Sequence, residues 1–201
     1  MRNTVAVVSA LALSASLAWA EPSGVFRQAH EVGSGSGSTL DPISKGRVFQ
    51  ITEKIMSRLV RPDMDGRPSP DLALSWSANE DATEWTFELR EGVTFHSGNE
   101  FTCADVQYSV HRLLVHHPGD SGVWFLAESF LGTTLGADNY FESGGGDIAD
   151  YDAYWNKVAN AAVCVDDYTV QLNLNNTDPT FFVKMMSDVA RIVDKQFAID
   201  N

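Results

Sequence analysis

The chemistry-bearing side chains of this 201-residue chain are few and scattered. Three histidines, His111, His116 and His117, stand close together, but no carboxylate lies at a spacing that would complete a metal site, so they read as helix-end and loop residues. His96 sits in a Phe95-His96-Ser97-Gly98 turn and reads as structural. Asp166-Asp167 and the other acid pairs are turn residues, and no general acid–base pair can be picked out. There is no G-x-S-x-G nucleophile elbow and no H-E-x-x-H helix. The tract Gly33-Ser34-Gly35-Ser36-Gly37-Ser38 lacks the Gly-Lys-Ser/Thr close of a phosphate loop and has the composition of a flexible segment. Cys103 and Cys164 have neither C-x-x-C spacing nor neighbouring histidines, which leaves a disulfide or two buried thiols. The expectation is a protein with no catalytic residue, no bound metal and no cofactor.

Formal net charge is −13, from 27 acidic and 14 basic side chains. Nucleic-acid binding wants a basic face, and adsorption to anionic lipid wants the same, so both are excluded as partners. At 44% hydrophobic and 20% charged the chain can bury a core. The N-terminus carries Arg2, then an apolar run from Val5 to Leu17 broken by serines, then Ala18-Trp19-Ala20. That is the pattern of a secretory signal peptide cleaved before Glu21. The run is short of the ~20 residues a membrane span needs. No cysteine follows it to carry a lipid anchor.

The elements come from periodicity. Val25–Glu31 reads as a strand. Val48, Ile51, Ile55, Met56 and Leu59 share a helical face, predicting a helix over 48–60 that ends at Arg61-Pro62. Asp63-Met64-Asp65-Gly66 is a turn. Pro68–Ala73 is extended, and the polar run from Ser77 to Glu84 is a loop. Trp85–Arg90 alternates as a half-buried strand, and Val93–Phe95 resumes the alternation before Ser97-Gly98 turns the chain. Thr102 and Asp105 have capping-box spacing, and Val106, Val110, Leu113 and Leu114 recur on one face of the helix that follows. Trp124–Leu126 and Phe130-Leu131 are apolar. Tyr151–Ala162 is helical and Ala162–Val165 a strand. Asp166-Asp167-Tyr168 turns into the strand Thr169–Leu174. Asp178-Pro179 opens a helix over 180–186. Ala190–Val193 reads as a short strand and Asp194–Ile199 as a helix.

The blocks Pro70-Asp71-Leu72-Ala73-Leu74-Ser75-Trp76, Trp85 through Gly98, Asp105-Val106 and Arg112 resemble, in order and spacing, the family 5 extracellular solute-binding proteins. These are the dipeptide- and oligopeptide-binding components of ABC importers. Leu40-Asp41-Pro42 and Asp166-Asp167-Tyr168-Thr169-Val170 resemble the same family, and Cys103 departs from its usual small or polar residue. The resemblance implies a mixed α+β, α/β fold: lobe one of a type II periplasmic binding protein with a small extra subdomain. Residues 1–20 are then the signal peptide, 21–52 the start of lobe one, 53–183 the extra subdomain and 184–201 the return into lobe one. Lobe one would be incomplete and the second lobe missing, so the chain reads as the N-terminal part of a longer protein, one that alone would not hold a solute.

The implied function is a periplasmic clamp, monomeric, that closes on a small solute, most often a peptide, and delivers it to ABC permease subunits in the inner membrane. Nickel chelates, oligosaccharides and opines are alternative solutes within the family. A secreted hydrolase and a periplasmic chaperone are the readings from other classes. The resemblance puts the segment Gly33, Ser34, Gly35, Ser36, Gly37, Ser38 at the mouth of the ligand cleft, where glycines let backbone groups approach a ligand; a plain loop is the alternative. It also lets an aromatic at Trp124 reach the cleft, against core packing. The family's strand after Cys164 packs near the helix carrying Cys103, which permits a bridge in an oxidising compartment. Export gives a direct check: N-terminal sequencing of the mature periplasmic protein should begin at Glu21, and an intact Met1 on a membrane-bound product would rule the signal peptide out.

Overall fold

The computed structural model describes residues 40–43, 49–115, 124–133 and 148–201. The strand expected over Val25–Glu31 lies outside these residues, as do His116 and His117. In chain order the elements are α1 (Phe49–Ile55), β1 (Val60–Pro62), β2 (Pro68–Pro70), β3 (Ala73–Ala78), β4 (Glu84–Leu89), α2 (Cys103–Val115), α3 (Trp124–Leu131), α4 (Ile148–Ala161), β5 (Ala162–Asp166), β6 (Thr169–Asn173), α5 (Phe181–Met185), a 3-10 turn (Asp188–Ala190) and α6 (Lys195–Asp200).

Four antiparallel strands form the main sheet in the order β3-β4-β6-β5, and β1 and β2 form a separate pair. The hairpin between β3 and β4 is set by Asn79, whose side-chain oxygen accepts from the amides of Thr83 and Glu84 at 2.9 and 3.1 Å. Alternation on β4 buries Phe87 and Leu89 on one side, with Trp85 half-buried beside them. Val170 and Leu172 of β6, the neighbouring strand, are fully buried. Aromatic rings from outside the sheet close over this side. Phe182 of α5 meets Trp85 edge-on at 4.8 Å and Trp76 at 5.4 Å, and lies 6.3 Å from Phe87. Helix α2 packs on β5 and β6, with α3 and α4 beside it. The disulfide Cys103–Cys164 ties the start of α2 to β5 across 61 residues of chain.

Four expectations from periodicity give way to tertiary pairing. The helix expected over 48–60 stops at Ile55. Leu59 and Val60, adjacent in sequence, are both fully buried. One helical stripe cannot bury neighbours so completely, whereas an extended segment packed on both faces can. The Leu59 carbonyl accepts from Ala73 N–H at 3.0 Å, and Val60 pairs with Pro70. The loop expected from Ser77 begins later, because Ser77 and Ala78 pair with Thr86 and Trp85. Val93–Phe95 is no strand: the chain makes a single bridge between Thr94 and Glu100 around Gly98, whose φ of 92° turns it back at once. Ala190–Val193 is likewise one 3-10 turn followed by a single bridge from Arg191 to Arg58.

Phe87, fully buried, tests the core directly. Phe87→Ala should lower stability by about 3–5 kcal/mol, read as a fall in denaturant midpoint at constant slope. An unchanged midpoint would mean that this side of β4 faces water.

Candidate functional site

Helix α2 positions everything around the candidate site. Its start is fixed by Asp105, whose Oδ2 accepts from the Thr102 amide at 2.9 Å, the backward half of a capping box. Its residues then fall on two stripes. Cys103, Gln107, Val110 and Leu114, at i, i+4, i+7 and i+11, share one face, which is tied to β5 by the Cys103–Cys164 bond and by Gln107 donating to the Ala162 carbonyl at 3.0 Å. Asp105, Ser109 and Arg112, at i, i+4 and i+7, lie about 200° around the helix. That polar stripe is sheathed by distant chain. Asp105 Oδ1 accepts from Lys195 N–H, and Ser109 Oγ from Val193 N–H, each at 3.0 Å. Arg112 forks onto Asp41, Nη1 to Oδ1 at 3.0 Å and Nη2 to Oδ2 at 2.6 Å. The Arg112–Asp41 fork holds Leu40-Asp41-Pro42 against α2.

The Phe95–Asn99 turn performs a second fastening. Ser97 and Asn99 both donate to Asp194, the N-cap of α6, which also accepts from Phe197 N–H at 2.9 Å. Between these anchored segments lies a cleft of about 510 Å³, bordered by Leu40, Pro42, Phe95, Arg112, Ile192 and Phe197. Its walls are mainly apolar. Such a surface can pack against a ligand or against further chain.

Burial pushes the Asp41 carboxyl up, but the hydrogen bonds from Arg112 and from the Ile43 amide, with the guanidinium charge, outweigh it and hold the group below the usual carboxylate range. Arg112 is raised in turn, first by its hydrogen bond to Asp41. At the far side of α3, burial also opposes ionisation of Asp178, and bonds from Lys184, Ser129 and Thr180 overcome it. His111 is pushed below the usual histidine value by burial, and its Nε2 is buried with no hydrogen-bond partner among the described residues.

The sequence-predicted site residues are distributed as follows. Gly33, Ser34, Gly35, Ser36, Gly37 and Ser38 lie outside the described residues. Trp124 opens α3, is 47% exposed, and meets Phe125 edge-on at 5.6 Å. Cys103 and Cys164 are bonded to each other. Sequence reasoning used Arg112 as a family mark without its partner Asp41, and missed Ser109 entirely. The signal available was a run of polar residues at helical spacing on the side of α2 opposite its apolar face. Among the described residues no group of three His, Cys, Asp or Glu side chains is placed to hold a metal ion, and no helix is long and apolar enough to cross a membrane.

The architecture is shared with solved binding proteins. Listeria monocytogenes OppA bound to peptide superposes with a TM-score of 0.61 over 80% of this chain and 29% of that one, at 20% identity. AgaA from A. tumefaciens R10 in complex with agropinic acid gives 0.60 over 83% of this chain and 28% of that one, at 25% identity. The fold is that of a type II periplasmic binding protein. Residues 67–201 match bacterial extracellular solute-binding proteins, family 5 Middle, and the chain belongs to that family.

Among curated relatives, the Escherichia coli K12 periplasmic oligopeptide-binding protein OppA is 28% identical over 152 residues, 73% of this chain and 25% of the relative. Pseudomonas aeruginosa di/tripeptide-binding protein 3 is 29% identical over 175 residues, 82% of this chain and 29% of the relative. Haemophilus influenzae heme-binding protein A is 29% identical over 136 residues, 64% of this chain and 21% of the relative. The chain thus spans between about a fifth and a third of the length of these relatives.

The Asp41–Arg112 pair predicts an acid response with a definite sign. A folded-state pKa below the unfolded value of about 3.9 adds stability above that pH, and the gain is lost as pH falls through the folded pKa. Asp41→Asn should therefore lower stability at neutral pH by about 1 kcal/mol, a modest figure because a third of the Asp41 side chain is in water. The deficit should shrink below about pH 4. Melting curves for the two proteins that stay parallel through this range would remove the pair from the account.

Proposed function

We propose that this protein is the solute-binding component of an ABC importer, exported to the periplasm with its signal peptide cleaved before Glu21. It acts as a monomer, binds peptides and hands them to permease subunits in the inner membrane. The reading rests on membership of the family 5 solute-binding proteins through residues 67–201. Relatives named for oligopeptide, dipeptide and tripeptide binding favour peptide as the solute. One relative named for heme and one structure holding agropinic acid keep other solutes as the second reading.

In this proposal residues 21–52 begin lobe one, 53–183 form the extra subdomain and 184–201 return into lobe one. The Gly33–Ser38 segment supplies backbone donors and acceptors to an extended peptide, which binds in the manner of an added strand. In sequence the segment lies a few residues before Asp41, which the Arg112 fork holds against α2. Trp124 offers an exposed aromatic face to a ligand side chain. Binding is the work assigned to these residues, with no bond made or broken in the solute.

Calorimetric titration of protein recovered from the periplasm, against peptides of two to five residues, tests this. Saturable heat is expected, weakened about tenfold by Trp124→Ala with little change in melting temperature. Peptides that give no heat, while another solute of the family does, would replace the peptide reading.

A further inference from the structure

Apart from the cleft beside Asp41, the structure holds a second cavity of about 430 Å³, where the end of α1, the start of β1 and the Arg191 segment meet. Its lining reverses the charge balance of the chain. Acidic side chains outnumber basic ones 27 to 14 overall. Around this cavity Lys54, Arg58, Arg61 and Arg191 stand against Glu53 and Asp71.

Two of the cations form the floor. Arg191 is 3% exposed and Arg58 9%. Their backbones are bridged, and the charge of Arg191 acts on Arg58. Arg191 is committed through both terminal nitrogens, to the Met56 carbonyl and to Asp188, and its Nε is buried with no partner among the described residues. Arg58 donates one nitrogen to the Met186 carbonyl. Its other guanidinium nitrogens have no hydrogen-bond partner among the described residues. Asp71 takes the Arg58 backbone amide at 3.1 Å and does not fork onto the guanidinium. At the rim, Lys54 and Arg61 are exposed and make no ion pair among the described residues.

Two buried like charges repel, and burial itself disfavours them. Both effects pull Arg58 below the usual arginine value, burial first and Arg191 next, against partial relief from Asp188, Asp71 and Glu53. Open guanidinium donors beside a rim of unpaired cations make a receptor for a compact oxyanion, because a guanidinium fork matches the oxygens of phosphate or carboxylate.

We infer that this cavity binds a small oxyanion carrying two or more negative charges, a phosphate or a polycarboxylate, with Arg58 and Arg61 gripping its oxygens and Lys54 closing the rim. The inference is independent of the peptide reading and concerns a different part of the chain from Gly33–Ser38 and Trp124.

The test is calorimetric titration of the full chain with inorganic phosphate and, separately, with citrate, ionic strength being held constant with sodium chloride. At least one should bind saturably at one site. Arg61→Ala and Lys54→Ala alter exposed positions and should leave the melting temperature unchanged while weakening that binding about tenfold or more. Arg61→Lys should recover only part, since a point charge replaces a fork. Binding of one anion and not the other assigns the class. No saturable heat from either anion, or heat undiminished in both alanine variants, overturns the inference. A parallel peptide titration of Arg61→Ala keeps the two readings apart: the peptide site should be unaffected by it.

Discussion

Helix α2 is buried on two opposite sides, and that double burial is the constraint on which the described structure depends. One stripe is apolar except where Cys103 and Gln107 attach it to β5. Its other stripe carries Asp105, Ser109 and Arg112, polar groups that would be costly to bury without partners. Each has one, supplied by chain far away in sequence: the amides of Lys195 and Val193, and the carboxylate of Asp41. Satisfying this stripe brings residues 41, 193 and 195 to one helix.

The turn at Phe95–Asn99 works by the same rule from a different direction. Its serine and asparagine converge on Asp194, whose carboxylate also caps α6. A family-typical motif that carries no chemistry here still has a physical duty, which is to hold the 194–200 segment in place. Removing a partner from such a cluster leaves a buried acceptor or donor unsatisfied, and that penalty usually exceeds the worth of the bond itself.

The binding role proposed above needs this rigidity more than it needs reactive groups. Contacts to a solute are productive only if the groups that make them are already ordered, since ordering them on binding subtracts from affinity. The Asp41–Arg112 fork and the Asp194 cluster supply order of that kind.

The sequence by itself determined most of the local elements and the family. Alternation in Trp85–Arg90 and Thr169–Leu174, helical spacing in Val106–Leu114 and a helix beginning near Asp194 were all legible, because each depends on period or on neighbours a few residues away. Tertiary structure decided the rest. It ended α1 at Ile55, since Leu59 finds its partners around Ala73 and Val60 at Pro70. It reduced Val93–Phe95 and Ala190–Val193 to single bridges, because a strand exists only where a neighbour runs alongside for several residues. It joined Cys103 to Cys164, a pairing that spacing had left open. It gave Arg112 its carboxylate and gathered Lys54, Arg58, Arg61 and Arg191 around one cavity. No periodicity encodes such meetings, for they join positions up to more than a hundred residues apart, brought together only when the core closes.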